Sequence, residues 1–346
     1  MSTEQWTRLS TDAFNVALFA YVAGMLGYFH YLAFRRQPVW RLASSAAFLG
    51  LAANAVSVVA RGFAAGRVPW GNMYEYSSLL ALLVVAGYLF VVEGVYKVRV
   101  VGGFVLAFSV LTMAVAVLFL YVGPAPLVPA LNSYWIKIHV VAAITGSSLF
   151  ALGGVITILY LVKDRRERRA GAALAPVAPI MGGAVDLEDA PPHFEAGADE
   201  PVGDGATRRG LLPPAATLDR VAYRTIAFAF PIWTFAVIAG AIWAEEAWGR
   251  YWGWDPKETW SFITWVIFAG YLHARATSGW RGRRAAVIAL VGFASLLITY
   301  YAVNLWIVGL HSYAMGVLAL PATLLNGATV RRRAAPSAPH DAREEE

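Results

Sequence analysis

Nine apolar stretches, each near the length that crosses a bilayer, recur along this chain, at about 13–34, 42–60, 76–95, 101–122, 138–162, 222–243, 259–275, 285–303 and 312–329. About twenty apolar residues at 1.5 Å per residue span the hydrocarbon core, where only helices and closed barrels satisfy their own backbone groups. None of the stretches has the repeated ten-residue alternation of a barrel. The expected fold is therefore all-α, a polytopic transmembrane bundle of about nine helices. Composition agrees, with 58% hydrophobic and 14% charged residues. The first stretch lacks a small-residue cleavage site and ends at Arg35 and Arg36, which reads as a retained helix and not a signal peptide.

Lys and Arg are held on the cytoplasmic side of a membrane, so their distribution orients the chain. With the N-terminus outside, the inner loops collect seventeen (Arg35 to Arg41, Lys97 and Arg99, Lys163 to Arg169, Arg275 to Arg284, Arg331 to Arg333). Six fall outside: Arg8, Arg61, Arg67, Lys137, Arg250 and Lys257. The expected topology is N-terminus out and C-terminus cytoplasmic. The net charge of +6 is accounted for by this asymmetry, and no basic run interleaved with aromatics calls for nucleic acid. There is no cysteine, which excludes disulfides, thiolate metal sites and Cys nucleophiles.

Residues 164–219 interrupt the pattern with a basic start followed by Ala, Pro, Gly and acidic residues, and read as a disordered cytoplasmic linker. The expected organisation is thus helices one to five in 1–163, the linker in 164–219, helices six to nine in 220–330 and a disordered tail in 331–346. His193 in the linker and His340 in the tail read as solvated residues.

Between the sixth and seventh stretches, thirteen residues from Trp248 to Trp260 hold four tryptophans (248, 252, 254 and 260) around two glycines, Asp255 and Glu258. Interfacial anchoring scatters Trp near helix ends and does not require a glycine-spaced run, so a surface for a flat aromatic ligand is the alternative. Asp255-Pro256-Lys257-Glu258 has the form of a helix start, with Asp at the N-cap, Pro at the first helical position and Glu completing a capping box. The two carboxylates can also be read as an acid/base pair, but no nucleophile or metal cluster accompanies them.

Ionisable side chains in or beside a bilayer are functional candidates by default. His139 near the start of the fifth stretch and His311 before the ninth fall at the same membrane surface as the Trp-rich run. Each alone also reads as an interfacial histidine bonded to a loop. His273 lies eighteen residues beyond Asp255, roughly 27 Å along a helix at 1.5 Å per residue, near the opposite surface. His30, among Tyr28, Phe29 and Tyr31, reads as an aromatic-belt residue. A flat aromatic shelf with two imidazoles beside it suits a porphyrin, whose iron takes His nitrogen on both faces.

The pattern of Trp248, Gly249, Trp252, Trp254, Asp255 and Glu258 resembles the tryptophan-rich "WWD" motif of the haem-handling proteins of cytochrome c maturation. Three further stretches narrow it: Asn72 to Glu75, Tyr271 to Arg275, and Gly309 to Tyr313. Together they resemble the CcsA (ResC) family of the System II pathway, labelled CcsB in some bacteria, from about residue 70 onwards apart from the linker. The resemblance implies a bacterial plasma-membrane protein that, with a ResB-like partner, forms a cytochrome c synthase. Haem b would be brought outside and presented to apocytochrome c for thioether attachment at its vinyl groups. By position, His139 and His311 would be the outer axial ligands. Trp248, Trp252, Trp254, Asp255 and Trp260 would hold the ring. His273 would match the intramembrane ligand, whose opposite ligand belongs to the partner. Arg61, Arg67, Arg250 and Lys257 are the outer cations able to meet the propionates.

Two rival readings are a CcmC-like haem exporter without attachment activity and a haem-free secondary transporter. The nine crossings and the helices preceding Asn72 favour the CcsA reading over the shorter CcmC type.

Overall fold

The computed structural model describes residues 1–126, 133–174, 211–307 and 309–310. Among them there is no strand. The helices are α1 (Thr3–Phe34), α2 (Gln37–Ala65), α3 (Met73–Ala86), α4 (Gly102–Phe119), α5 (Tyr134–Leu174), α6 (Ala215–Trp248), α7 (Pro256–Ala276), α8 (Arg283–Leu297) and the short α9 (Val303–Trp306). A π-helical segment, Gly87–Glu93, continues α3, and another, Ile298–Ala302, joins α8 to α9. Eight of the nine expected stretches therefore lie on helices, and the ninth, 312–329, lies outside the described residues.

Seven helices are long and apolar enough to cross a membrane: Thr3–Phe34, Gln37–Ala65, Met73–Glu93, Arg99–Phe119, Tyr134–Ala170, Ala215–Trp248 and Arg283–Trp306. The fold is a polytopic helical membrane bundle. α7 is a full helix of 21 residues but is not among the seven. It carries Lys257, Glu258, His273 and Arg275 as well as several hydroxyl residues.

Helix boundaries overrun the expected linker at both ends. α5 continues to Leu174 because Lys163–Glu167 and Asp164–Arg168 form i,i+4 ion pairs at 3.4 and 3.0 Å, which support helix where the apolar pattern stops. α6 begins at Ala215, whose N–H donates to the Glu167 carboxylate at 3.3 Å. The expected linker 164–219 is therefore helical at its edges; 175–210, His193 and the 331–346 tail with His340 lie outside the described residues.

Lipid tails give helices no hydrophobic reason to associate, so close approach through small residues and buried polar bonds does that work. In α1 and α2, a Cβ on Gly50 would sit 2.4 Å from the Tyr21 ring, and one on Gly27 would sit 2.8 Å from the Ala43 Cβ. In α5, Gly146 admits Trp233 of α6 and Gly153 admits Ile226. Phe150 of α5 stacks on Phe268 of α7 at 3.8 Å. Polar cross-links fall between the same elements: Ser78 donates to Asn54 Oδ1 at 2.8 Å, and buried Glu93 accepts from Tyr28, Tyr88, Trp40 and Ser44.

Candidate functional site

At one end of the bundle the starts of α3, α5 and α7 meet the ends of α6 and α8–α9 around a cavity. It encloses about 1320 Å³ of empty space, open mouth included, and is largely walled by aromatic and aliphatic side chains. Among its lining residues are His139, Trp248, Trp252, Lys257 and Glu258, together with Trp70, Tyr76, Trp233, Trp243 and Tyr300.

His139 stands five residues inside α5, one turn after its start, and its ring is fixed from two sides. Nδ1 is 2.8 Å from the Ala236 carbonyl oxygen of α6, and the ring stacks on Trp243 at 6.1 Å and 13°. A carbonyl only accepts, so Nδ1 donates, and in the neutral ring Nε2 then carries the lone pair, the tautomer a metal-binding imidazole requires. The space for the ring comes from Gly240, where a Cβ would lie 2.7 Å from Nδ1. Neither Ala236 nor Gly240 stands out in the sequence, because one contributes only its backbone and the other only an absence. Trp243 carries a legible signal, lying one turn and a residue before Trp248 and packing edge-on to it at 4.7 Å.

The Trp-rich run divides. Trp248 and Trp252 line the cavity, whereas Trp254 and Trp260 do not. Trp254 has φ +55° and is 67% exposed, packed edge-on to Trp252 at 5.8 Å. Left-handed backbone at a bulky residue is held only where the surroundings over-determine it. Here the holder is Glu258, whose Oε2 accepts from the Gly253 and Asp255 N–H groups at 2.8 and 3.1 Å. The capping box is present as expected, with Asp255 Oδ1 accepting the Lys257 N–H. Its second oxygen has a role that the sequence does not announce: Oδ2 accepts the Leu310 N–H at 2.6 Å. That bond fastens the residue immediately before His311 to the Trp-rich loop. His311 itself lies outside the described residues.

Lys257 lines the cavity, and its ammonium donates at 2.8 Å to Oδ1 of Asn304, another lining residue. Burial pushes its pKa down to about 8, opposed by the nearby Asp255 charge. Arg61 and Arg67, by contrast, are engaged elsewhere. Buried Glu75 accepts from Arg61 Nε at 3.0 Å, from Arg67 at 2.8 and 3.2 Å, and from the Gly71 N–H at 2.8 Å. Arg67 also donates to Ala125 O at 2.8 Å, and Arg61 to Val122 O. Asn72 caps α3 through the Glu75 N–H at 2.9 Å. The Asn72 to Glu75 stretch thereby anchors the rim residues Trp70 to Met73. Arg250 is exposed and lies over Gly253, and it does not line the cavity.

His273 is at the other end of α7. Tyr271 is buried and Arg275 holds Asp219 of α6 with two bonds at 2.8 and 2.9 Å, so residues 271 and 275 fasten one face of α7 to α6. His273, between them in sequence, points away and is exposed. Nothing lies within 4 Å of a Cβ built on Gly270, one turn earlier. His30 is also exposed, tilted on Phe34 at 4.6 Å, and α1 packs chiefly on α2 and α4.

These features define a multi-pass helical membrane protein with a histidine- and tryptophan-lined cavity at one end. A sequence profile of the family described as "Cytochrome C assembly protein" matches residues 70–311. The cytochrome c biogenesis protein CcsA of Gloeobacter violaceus is 36% identical over 337 residues, covering 90% of this chain and 98% of the relative. CcsA of Porphyra purpurea is 36% identical over 318 residues (88% and 97%), and that of Synechococcus elongatus 39% identical over 270 (73% and 81%). Among solved structures, the cytochrome c haem lyase CcmF superposes with a TM-score of 0.61 at 15% identity, over 96% of this chain and 52% of that one, a likeness of fold. The chain belongs to the cytochrome c assembly family, in its CcsA group. Its general role is cytochrome c biogenesis, which involves haem and apocytochrome c.

Proposed function

We propose that this cavity receives haem b as cargo at the outer membrane face and presents it for covalent attachment to apocytochrome c. The supporting observation is His139: an imidazole whose Nδ1 donates to Ala236 O and whose ring stacks on Trp243 in an aromatic-walled cavity. His311 serves as the opposite axial ligand, and the Asp255–Leu310 bond ties the residue before it to the Trp-rich loop. Trp248 and Trp252 wall the ring. Trp254 packs on Trp252 and holds the ring through it, and Asp255 and Glu258 shape the loop through their bonds to its backbone.

Haem itself supplies the reactive vinyl groups to which the thiols of apocytochrome c add. The chain's own residues orient it and keep water off one face, which is the positional share of catalysis. Orientation follows the positive-inside count: the N-terminus of α1 lies outside with the cavity, nine crossings include 312–329, and the C-terminus is cytoplasmic. In a bacterium the membrane is the plasma membrane. The cytoplasmic linker of this topology falls between α5 and α6. His273 is the inner ligand, completed by a ResB-like partner; its exposure and the open space beside Gly270 support a shared site. The pair then works as a cytochrome c synthase.

The test is optical. Protein purified from a haem-producing host should carry a Soret band, His139→Ala and His311→Ala should each alter it, and added imidazole should restore it. A colourless wild type, or wild-type spectra in both variants, would overturn the assignment. Co-purification with a ResB-like protein should add haem that His273→Ala removes.

A further inference from the structure

Lys257 is a cation in a largely apolar cavity with a neutral hydrogen-bond partner. Among the described residues no carboxylate forms an ion pair with it. The nearest acids are occupied by backbone groups. Asp255 Oδ1 holds the Lys257 N–H and Oδ2 the Leu310 N–H, while Glu258 Oε2 holds Gly253 and Asp255. What the ammonium does have is an aimed support. Asn304 is buried, and its Nδ2 donates to Tyr300 O at 2.6 Å and Thr299 O at 3.3 Å. That fixes the amide so that Oδ1 faces Lys257. An ammonium offers three donors, and Asn304 takes one. The Asp255 charge offsets part of the cost of placing this half-buried ammonium in an apolar cavity, and the donors that Asn304 does not take suit a ligand that brings the opposite charge.

We infer that Lys257, aimed by Asn304, is the counter-charge for a carboxylate of the molecule this cavity binds. The inference rests on the haem assignment, since haem carries two propionate carboxylates on the edge opposite its vinyl groups. Fixing a carboxylate at Lys257 restricts rotation of the ring about the axis through its iron and turns the vinyl edge away from Lys257. The vinyl edge is thereby placed for the incoming thiols, an orientation that axial imidazoles alone do not set.

Full-length protein in detergent, stripped of haem, is titrated optically with haem and with its dimethyl ester, in which both carboxylates are masked. Wild type should bind haem about tenfold or more tighter than the ester, the scale of a charge-assisted hydrogen bond. Lys257→Met should lose that preference by weakening haem alone, with ester binding unchanged, and Lys257→Arg should keep part of it. Equal affinity of wild type for haem and ester overturns the inference without needing any variant. So does a Lys257→Met that weakens both ligands equally, which marks a structural role. In those two cases the haem assignment stands; a wild type that develops no Soret band with either ligand overturns both.

Discussion

Asp255 joins the Trp-rich loop to Leu310 through a single 2.6 Å hydrogen bond, with Oδ2 as acceptor, while Oδ1 caps α7. Two segments more than fifty residues apart in sequence are thus registered by one carboxylate. Gly309 is part of that fit, because a Cβ there would lie 2.5 Å from Oδ2. The Asp of the motif is accordingly a joint between the loop and the chain leading to His311.

Replacing Asp255 separates the two functions. Asp255→Asn keeps one acceptor oxygen for two donors, so it should hold either the cap or the Leu310 N–H and lose the other, whereas Asp255→Ala loses the cap, about 1 kcal/mol, and strands the Leu310 N–H, a further ~1–3 kcal/mol. Hydrogen exchange at the Leu310 amide reads the second loss directly. Exchange unchanged in Asp255→Ala would show that the bond is not formed.

Gly240→Val puts side-chain carbon where the His139 ring lies, 2.7 Å from Nδ1 at the Cβ alone. The imidazole must move off the Ala236 carbonyl, and haem affinity should fall on the order of 10- to 100-fold, as for other lost supports of a metal-bound histidine. Optical titration with and without added imidazole measures this, and recovery with imidazole would place the defect at the ligand.

Glu75 neutralises two arginines at sites where their side chains are only 4% and 10% exposed. Glu75→Gln leaves buried positive charge uncompensated and should cost roughly 3–5 kcal/mol. Arg67→Gln should cost less because Arg61 keeps its bond to Oε1. Thermal unfolding of the purified variants checks the order.

Lys257 gives a pH signature. It precedes the apolar stretch 259–275, and its pKa falls from the ordinary lysine value of 10.5 to about 8 on burial. Between those values the unfolded chain binds more protons than the folded one, so stability should rise as pH climbs from about 8 towards 10.5. The groups around it are Asp255, Glu258, His139, Lys137, Tyr251, Tyr76 and Tyr300. The slope should vanish in Lys257→Met; a slope unchanged in that variant would assign it to another of these groups.

What was legible in the sequence follows the range of the interaction. Apolar length and the capping box are local patterns, and the helices and the Asp255–Glu258 box appear where those patterns put them. The overrun of α5 was also written locally, in the i,i+4 charges at 163–168, but composition masked it. The Trp-rich run was legible as a unit and not in its parts. Which indoles face the cavity depends on the left-handed turn at Trp254, a backbone state that the residue type does not favour. The Asp255–Leu310 and Lys257–Asn304 bonds needed three dimensions, since nothing in residues 304–310 marks them as partners of 255–257.

The acceptor that holds His139 belongs to the main chain. The side chain at 236 matters only for its size, since it packs against Ala142 and Ala143, while the oxygen comes from any residue that fits and keeps α6 helical. Size also constrains 240, where only the smallest residue leaves room. Both positions support the imidazole without a functional group of their own, one by an oxygen of the main chain and the other by the space it leaves.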